Sequence, residues 1–284
     1  MTDRYAVIGN PIGHSKSPLI HRAFAEQTAQ DLEYTRLLGD PEGFEGEVQR
    51  FFREGGKGLN VTVPFKERAC ALADKCTARA LGAGAVNTLM FSGDGRLQGD
   101  NTDGVGLLRD LTVNQGYLLS GSRVLLLGAG GASRGVVRPL LDTGPESLVI
   151  ANRTASRAVE LAEAIGDRAV VRGCGLEELD REGFDLIINA TSAGLDGRLP
   201  RIPDNILAPG GWVYDMMYAS EPTVMVRWGQ RHRAARAMDG LGMLVEQAAE
   251  SFYLWRGVRP DTAPVIRSLR GTLGREADPK PDKS

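Results

Sequence analysis

Cysteine, histidine and tryptophan are scarce in this chain, with three of each among 284 residues. Cys70, Cys76 and Cys174 lack metal-ligand spacing and are odd in number, so reduced thiols are expected in place of a disulfide framework. No cluster of cysteine and histidine exists to hold a resident metal, and none is predicted. No apolar run approaches the roughly 18 residues of a membrane span. The chain leads directly into strand-like Tyr5-Ala6-Val7-Ile8, without a charged-then-apolar leader. A formal charge of −2 and a pI near 6.0 give no general attraction to nucleic acid or to anionic membranes. Internal repeats and low-complexity segments are absent as well. A soluble cytoplasmic enzyme of one or two domains, acting on small molecules, is the class these absences leave.

Glycine, by contrast, is plentiful, and one run of it organises the chain. Val124-Leu125-Leu126-Leu127 reads as a strand buried on both faces, as in a parallel sheet covered by helices. Gly128-Ala129-Gly130-Gly131-Ala132-Ser133 follows, and Arg134 to Arg138 opens a helical pattern. Strand, glycine turn and helix in that order present backbone N–H groups and a positive helix end to a pyrophosphate. Gly128 suits the tight turn and Gly130 the close phosphate approach, while Ser133 occupies the third fingerprint position in place of Gly or Ala. Taken alone, such a run also serves as a plain turn.

Some twenty residues on, Leu148 to Ala151 reads as the second strand. An NAD site places an acid at its end, for the ribose 2′-hydroxyl. Here stand Asn152, Arg153 and Thr154, with Arg157 a helical turn later. A guanidinium fork suits a 2′-phosphate, so NADP is the predicted cofactor. Thr154 equally suits the N-cap of a helix over 155–165. Further strands are read at Asp185 to Ala190 and Gly211 to Asp215, with Thr191 and Ser192 at a polar tip where a nucleotide would rest. The basic run Arg227 to Arg236 reads as a solvated helix face.

The first hundred residues carry a different set of signals. Ser15 and Ser17 precede Pro18, which suits a helix start; Ser17 is thus a natural N-cap, or both hydroxyls bind a carboxylate. His14 and His21 read as exposed or structural. Leu32 to Leu37 reads as a strand, and Phe44, Val48, Phe51 and Phe52 mark one helix face. Leu59 to Val63 reads as an alternating strand, with Lys66 in the first turn of the next helix. That is the wrong dipole end for a cation, and it suits proton transfer or mere exposure. Asp94-Gly95 marks a hairpin turn. Asp103 ends a polar stretch ahead of a helix over 105–111, where it caps or acts. After Asp239-Gly240-Leu241-Gly242 a long helix carries Met243 and Gln247 on one face. The tail from Arg275 to Ser284 reads as disordered.

These fragments resemble, in order, one family. Gly-Asn-Pro-Ile-x-His-Ser-x-Ser-Pro at 9–18, Asn-Val-Thr-Val-Pro-x-Lys at 60–66 and Gly-Ala-Val-Asn-Thr at 84–88 resemble shikimate dehydrogenase. So do Gly-Asp-Asn-Thr-Asp-Gly at 99–104, Gly-Ala-Gly-Gly-Ala at 128–132 and Asn-Arg-Thr at 152–154. Asn-Ala-Thr-Ser at 189–192, Tyr-Asp-Met-x-Tyr at 214–218 and Asp-Gly-Leu-Gly-Met-Leu-Val-x-Gln at 239–247 complete the set. The likeness spans nearly the whole chain and is nearest the bacterial biosynthetic, NADP-dependent form.

The resemblance implies an α/β protein: a Rossmann-type doubly wound NADP domain over 104–238, and an α/β substrate domain from 1–103 and 239–284, with the active site in a cleft. It implies Ser15, Ser17 and Tyr218 at the substrate carboxylate, and Thr62, Lys66, Asn87, Asp103 and Gln247 around the ring. Lys66 and Asp103 would be the catalytic dyad. Gly128, Ala129, Gly130, Gly131, Ala132, Asn152, Arg153, Thr154, Arg157, Thr191, Ser192, Met216, Gly240 and Met243 would hold NADP. The implied reaction is reversible reduction of 3-dehydroshikimate to shikimate, on the way to the aromatic amino acids, by a monomer or homodimer. A relative acting on quinate or aminoshikimate is the alternative enzyme. A catalytically idle sensing module is the non-enzymatic one, and retention of both Lys66 and Asp103 speaks against it.

Overall fold

A computed structural model describes residues 2–166, 169–179, 183–191 and 198–277, with the side chains of 275–277 excepted. In chain order the elements are β1 (Asp3–Gly9), α1 (Ser17–Thr28), β2 (Leu32–Leu38), α2 (Phe44–Arg53), β3 (Gly56–Val61), α3 (Lys66–Leu72), β4 (Lys75–Cys76), α4 (Ala78–Ala83), β5 (Thr88–Phe91), β6 (Leu97–Asp100) and α5 (Asp103–Arg109). There follow β7 (Arg123–Leu127), α6 (Gly131–Asp142), β8 (Ser147–Asn152), α7 (Ala155–Ile165), β9 (Val171–Gly175), β10 (Phe184–Asn189), β11 (Leu207–Asp215), α8 (Val224–Arg231), β12 (Arg236–Asp239), α9 (Leu241–Arg256) and α10 (Ala263–Ala277). The chain divides into two units. One holds 1–109, 134–138 and 244–265; the other holds 110–133, 139–243 and 266–284.

The first unit is built on a mixed sheet, ordered β2-β1-β3-β5-β6-β4. β1 runs parallel to β2 and β3, while β5 is antiparallel to β3 and β6. The apolar stripe of α2 (Phe44, Val48, Phe51, Phe52) joins Ile8, Leu59, Val61 and Leu89 in one core cluster. The strand expected at 59–63 departs from that reading. β3 begins earlier, ends at Val61, and has Gly58, Leu59, Asn60 and Val61 all buried. Its place between β1 and β5 explains the lost alternation, since an inner strand covered on both faces has no solvent side. The hairpin turn lies where expected, with Gly95 at φ +77° between β5 and β6.

The second unit holds a six-stranded sheet ordered β12-β11-β10-β7-β8-β9, with every pairing parallel. Relabelled in sequence order, this is the 3-2-1-4-5-6 arrangement of a doubly wound dinucleotide fold. β7 and β10 are neighbours that lead to opposite sides, so the switch point lies at the carboxyl ends of Leu127 and Asn189.

Three further expectations change. The basic run 227–236 is not one helix face: α8 ends at Arg231, and Arg236 opens edge strand β12 with its guanidinium 5.1 Å from the Trp212 ring. The helix expected over 105–111 starts at Asp103 and passes into a π-turn over Asp110–Asn114. There the buried Asp110 carboxylate accepts from the Tyr214 hydroxyl at 2.7 Å. The tail expected to be disordered from Arg275 is helical through Ala277, the remainder lying outside the described residues. No helix of the described residues is long and apolar enough to cross a membrane.

Candidate active site

β3 delivers the chain to a turn in which Thr62 N–H bonds the Ile8 carbonyl and Phe65 N–H bonds the Thr62 carbonyl. Gly9 makes room, since a Cβ there would meet Thr62 Cγ2 at 2.4 Å. The next residue after Phe65 is Lys66, the first of α3. Its Nζ lies 2.5 Å from Asp103 Oδ2, with the two side chains only 18% and 8% exposed. The backbone ties the same region together, as Val86 N–H bonds the Lys66 carbonyl at 2.9 Å.

Asp103 is the first residue of α5, not its cap. Its N–H bonds Asn101 Oδ1, two residues earlier, at 3.1 Å. The Asp103 carboxylate faces its neighbours. Oδ2 meets Lys66 and Oδ1 accepts from Asn87 Nδ2 at 2.8 Å. Gln247, on α9, brings Oε1 to 3.4 Å from both Asn87 Nδ2 and Thr102 Oγ1. Lys66, Asn87, Asp103 and Gln247 thus meet in the first unit, drawn from four separate stretches of chain.

Ser15 and Ser17 lie side by side, with Oγ atoms 3.2 Å apart. The expectation that Ser17 caps α1 is corrected: Lys16 is the N-cap residue, without a side-chain cap, and Ser17 is already helical. Ser15 Oγ accepts the Ser17 N–H, and the Arg36 guanidinium donates twice to the Ser15 carbonyl, at 2.9 and 2.6 Å. His21, one turn along α1, is buried against the Tyr34 ring at 4.1 Å and a 4° angle. Neither ring nitrogen has a hydrogen-bond partner, and burial lowers its pKa to about 3 despite nearby Asn60. It is a neutral structural residue, as its sequence setting suggested.

In the second unit the glycine run has the geometry a dinucleotide needs. Gly128 sits at φ +108° with Ala190 and Thr191 directly against it, where a side chain would be strained. Gly130 and Gly131 face open space at the start of α6, so a phosphate can approach their N–H groups. Ser133 is fully buried with an unpartnered hydroxyl, filling the small-residue position where helix packs on strand. Arg153, Thr154 and Arg157 are all exposed at the end of β8 and the start of α7. Thr154 stands at the N-cap of α7 but makes no capping bond, which leaves its hydroxyl to other uses. Asn152 Nδ2 bonds the Thr154 carbonyl at 3.0 Å and shapes this corner.

At the switch point Asn189 accepts the Thr191 N–H and hydroxyl, and donates to buried Asp215 at 2.9 Å. Burial raises the Asp215 pKa, and donors from Thr223, Met217 and Asn189 counter it. Met216 and Tyr218 follow directly. Gly240 packs so closely on Met216 that a Cβ would lie 2.3 Å from its carbonyl oxygen. Met243 is buried early in α9. Ser192 falls outside the described residues. Among the described residues no group of three His, Cys, Asp or Glu could hold a metal ion.

Three family models match in sequence order: a shikimate dehydrogenase substrate binding domain over residues 7–89, shikimate / quinate 5-dehydrogenase over 111–195, and a shikimate 5′-dehydrogenase C-terminal domain over 240–270. The shikimate dehydrogenase (NADP(+)) of Alkalilimnicola ehrlichii is 60% identical over 270 residues, which is 95% of this chain and 99% of its own. The chain belongs to the shikimate dehydrogenase family. The family member from Cellvibrio japonicus of the same name is 55% identical over 96% of this chain and 99% of its own. A solved family structure, shikimate 5-dehydrogenase from Thermus thermophilus in complex with NADP(H) and shikimate, has a TM-score of 0.84 at 32% identity. It covers 95% of this chain and 99% of its own.

Within the family frame, sequence reasoning overlooked the residues that hold the site in shape. Asn101 accepts the Asp103 N–H, and Gly135 leaves its side chain the space to do so, a Cβ there lying 3.0 Å from its Oδ1. Thr88, Thr102 and Ser251 bond around Asn87. Thr102 sits inside a motif already singled out. Ser251 lies four residues after Gln247, a helical spacing that could have flagged it.

Proposed function

We propose that this chain catalyses the NADP-dependent, reversible reduction of 3-dehydroshikimate to shikimate. The single observation that carries the mechanism is the Lys66–Asp103 contact at 2.5 Å in a largely buried setting. NADPH, when bound, supplies the hydride to the ketone carbon. Gly128, Gly130 and Gly131 would cradle its phosphates and Arg153, Thr154 and Arg157 its 2′-phosphate, on the geometry described above. Ala129, Ala132, Asn152, Thr191, Ser192, Met216, Gly240 and Met243 complete that assignment.

Lys66 Nζ donates a proton to the carbonyl oxygen as negative charge builds there, and in the reverse direction Nζ takes it back. Asp103 holds the ammonium in place through Oδ2 and balances its charge. A lone buried ammonium would be costly, and a lone carboxylate would repel the developing oxyanion. Ser15, Ser17 and Tyr218 are assigned to the substrate carboxylate; Thr62, Asn87 and Gln247 to its ring hydroxyls. The substrate domain is assigned to 1–103 with 239–284, the NADP domain to 104–238. The enzyme works in the cytoplasm as a monomer or homodimer in this reading, and sedimentation distinguishes the two.

The test is a matrix of initial rates with shikimate, quinate and an aminoshikimate, each with NADP and with NAD. Shikimate with NADP should be the fastest pair. A faster quinate–NAD rate would move the assignment to the quinate branch, and no turnover of any pair would remove it.

A further inference from the structure

Next to the Lys66–Asp103 pair lies a buried set of polar side chains with no part in the proton transfer: Tyr34, Asn60, Thr88, Thr102 and Ser251. Their hydrogen bonds have a direction that backbone groups fix. Thr102 N–H can only donate, and it reaches Asn87 Oδ1 at 2.9 Å. The amide oxygen of Asn87 therefore faces Thr102, and its NH2 faces Asp103 Oδ1. Likewise the Asn87 carbonyl can only accept, and Asn60 Nδ2 meets it at 3.0 Å. Asn60 thus turns its own oxygen toward the Tyr34 hydroxyl, 2.7 Å away.

The second N–H of the same nitrogen is shared between Thr88 Oγ1 at 3.2 Å and Ser251 Oγ at 3.1 Å. Those hydroxyls are acceptors of the amide and send their single protons onward. Thr88 sends its proton to Asn87 Oδ1 at 2.9 Å, so in the 2.8 Å contact between the two hydroxyls Ser251 is the donor and Thr88 the acceptor. The polarity runs from Tyr34 through Asn60 and Thr88 to Asn87, and ends as an N–H donor on the carboxylate that holds Lys66. Every amide and hydroxyl in the set finds a partner, which is the condition for a buried polar network to rigidify a site.

We propose that Thr88 is a positioning residue for the dehydrogenase reaction. Its hydroxyl, oriented by Asn60 and Ser251, holds the Asn87 amide with the NH2 toward Asp103 and the substrate ring. What that posture does for turnover rests on the function proposed above; the posture itself stands on the hydrogen-bond geometry. Thr88 also pairs across the sheet with Asn60, where β-branched valine would pack equally well. A role limited to strand packing would therefore survive the exchange to valine.

The experiment compares Thr88→Val and Thr88→Ser with the unsubstituted protein in two readouts. The first is steady-state kinetics. Thr88→Val should raise the shikimate KM about three- to tenfold, the loss expected of one buried hydrogen bond, with the NADP KM unchanged. Thr88→Ser should restore it. The second is NMR of the ligand-free protein: the Asn87 side-chain NH2 protons should exchange slowly in the unsubstituted and Ser forms and faster in the Val form. A Val variant with unchanged shikimate KM and unchanged Asn87 exchange overturns the proposal. So does a loss of activity that tracks the melting temperature and is not rescued by Ser. If Thr88→Val does not fold, Ser251→Ala removes the hydroxyl that orients Thr88 and is read by the same criteria. Should the unsubstituted protein fail to turn over shikimate, the functional reading falls, while the amide exchange still decides the role of Thr88.

Discussion

Lys66 Nζ donates to Asp103 Oδ2 across 37 positions of sequence, at 2.5 Å. One begins α3 and the other begins α5, so two helix starts converge on one ion pair. General acid–base catalysis contributes on the order of 10²–10⁴ in rate. Lys66→Ala should lower kcat by about that factor while calorimetry still detects shikimate binding. Asp103→Asn should also be slow, and the double variant should fall short of the product of the two losses, because the groups act together. A Lys66→Ala enzyme that keeps more than about a tenth of kcat would remove lysine from the role of main proton donor.

Cofactor choice is read at Arg153. Exposed at the end of β8 beside Thr154, it is free of the acid that would repel a 2′-phosphate. Charge-assisted hydrogen bonds contribute about 1.5–3 kcal/mol each. Arg153→Ala should weaken NADP binding about ten- to a hundredfold and leave NAD nearly unchanged. Fluorescence titration with both cofactors checks it, and an equal loss for the two would show a support role for the fold.

The serine pair gives a binding prediction. Because Ser17 does not cap α1, its hydroxyl is not consumed by the helix start. Ser15→Ala and Ser17→Ala should chiefly raise the shikimate KM and leave NADP affinity intact. Were the double variant to bind shikimate normally yet melt at much lower temperature, the hydroxyls would be structural.

His21 gives a pH dependence of stability. Its pKa is about 3 in the folded state against 6.5 when free, so below pH 6.5 the unfolded chain binds a proton that the folded one refuses. Stability contributed by neutral His21 is therefore present above pH 6.5 and lost as pH falls toward 3, by at most about 1.4 kcal/mol per pH unit. His21→Leu should flatten that part of the acid limb in urea melts between pH 6.5 and 4, whatever its effect at neutral pH. An identical slope in both proteins would show that His21 is protonated within the fold.

The sequence by itself determined the class of each half. Four apolar residues, then glycines, then a helical pattern at 124–138, followed by a second strand ending at Asn152-Arg153-Thr154, read together as the start of a dinucleotide fold, because local sterics and dipoles carry that signal. Arg153 was singled out by its chemistry at the end of a strand, whereas Ser15, Lys66 and Asp103 each had a plain structural reading as well and Asn87 was named only through the motif resemblance. Tertiary structure decided what those residues face. Asp103 could have capped its own helix, but it is the first helical residue and its carboxylate bonds Lys66 and Asn87, 37 and 16 positions away. Ser17 could have been a cap, and the backbone at Lys16 settled otherwise. β3 lost its alternation because its neighbours cover both faces, a fact that lies in β1 and β5 and not in residues 59–63. The amide posture of Asn87 depends on Thr102, Thr88, Asn60 and Ser251, the last of them 164 positions from Asn87 and packed by a helix from the far end of the chain. A hydrogen bond is fixed by position and direction in space, and a sequence pattern specifies neither beyond its own element.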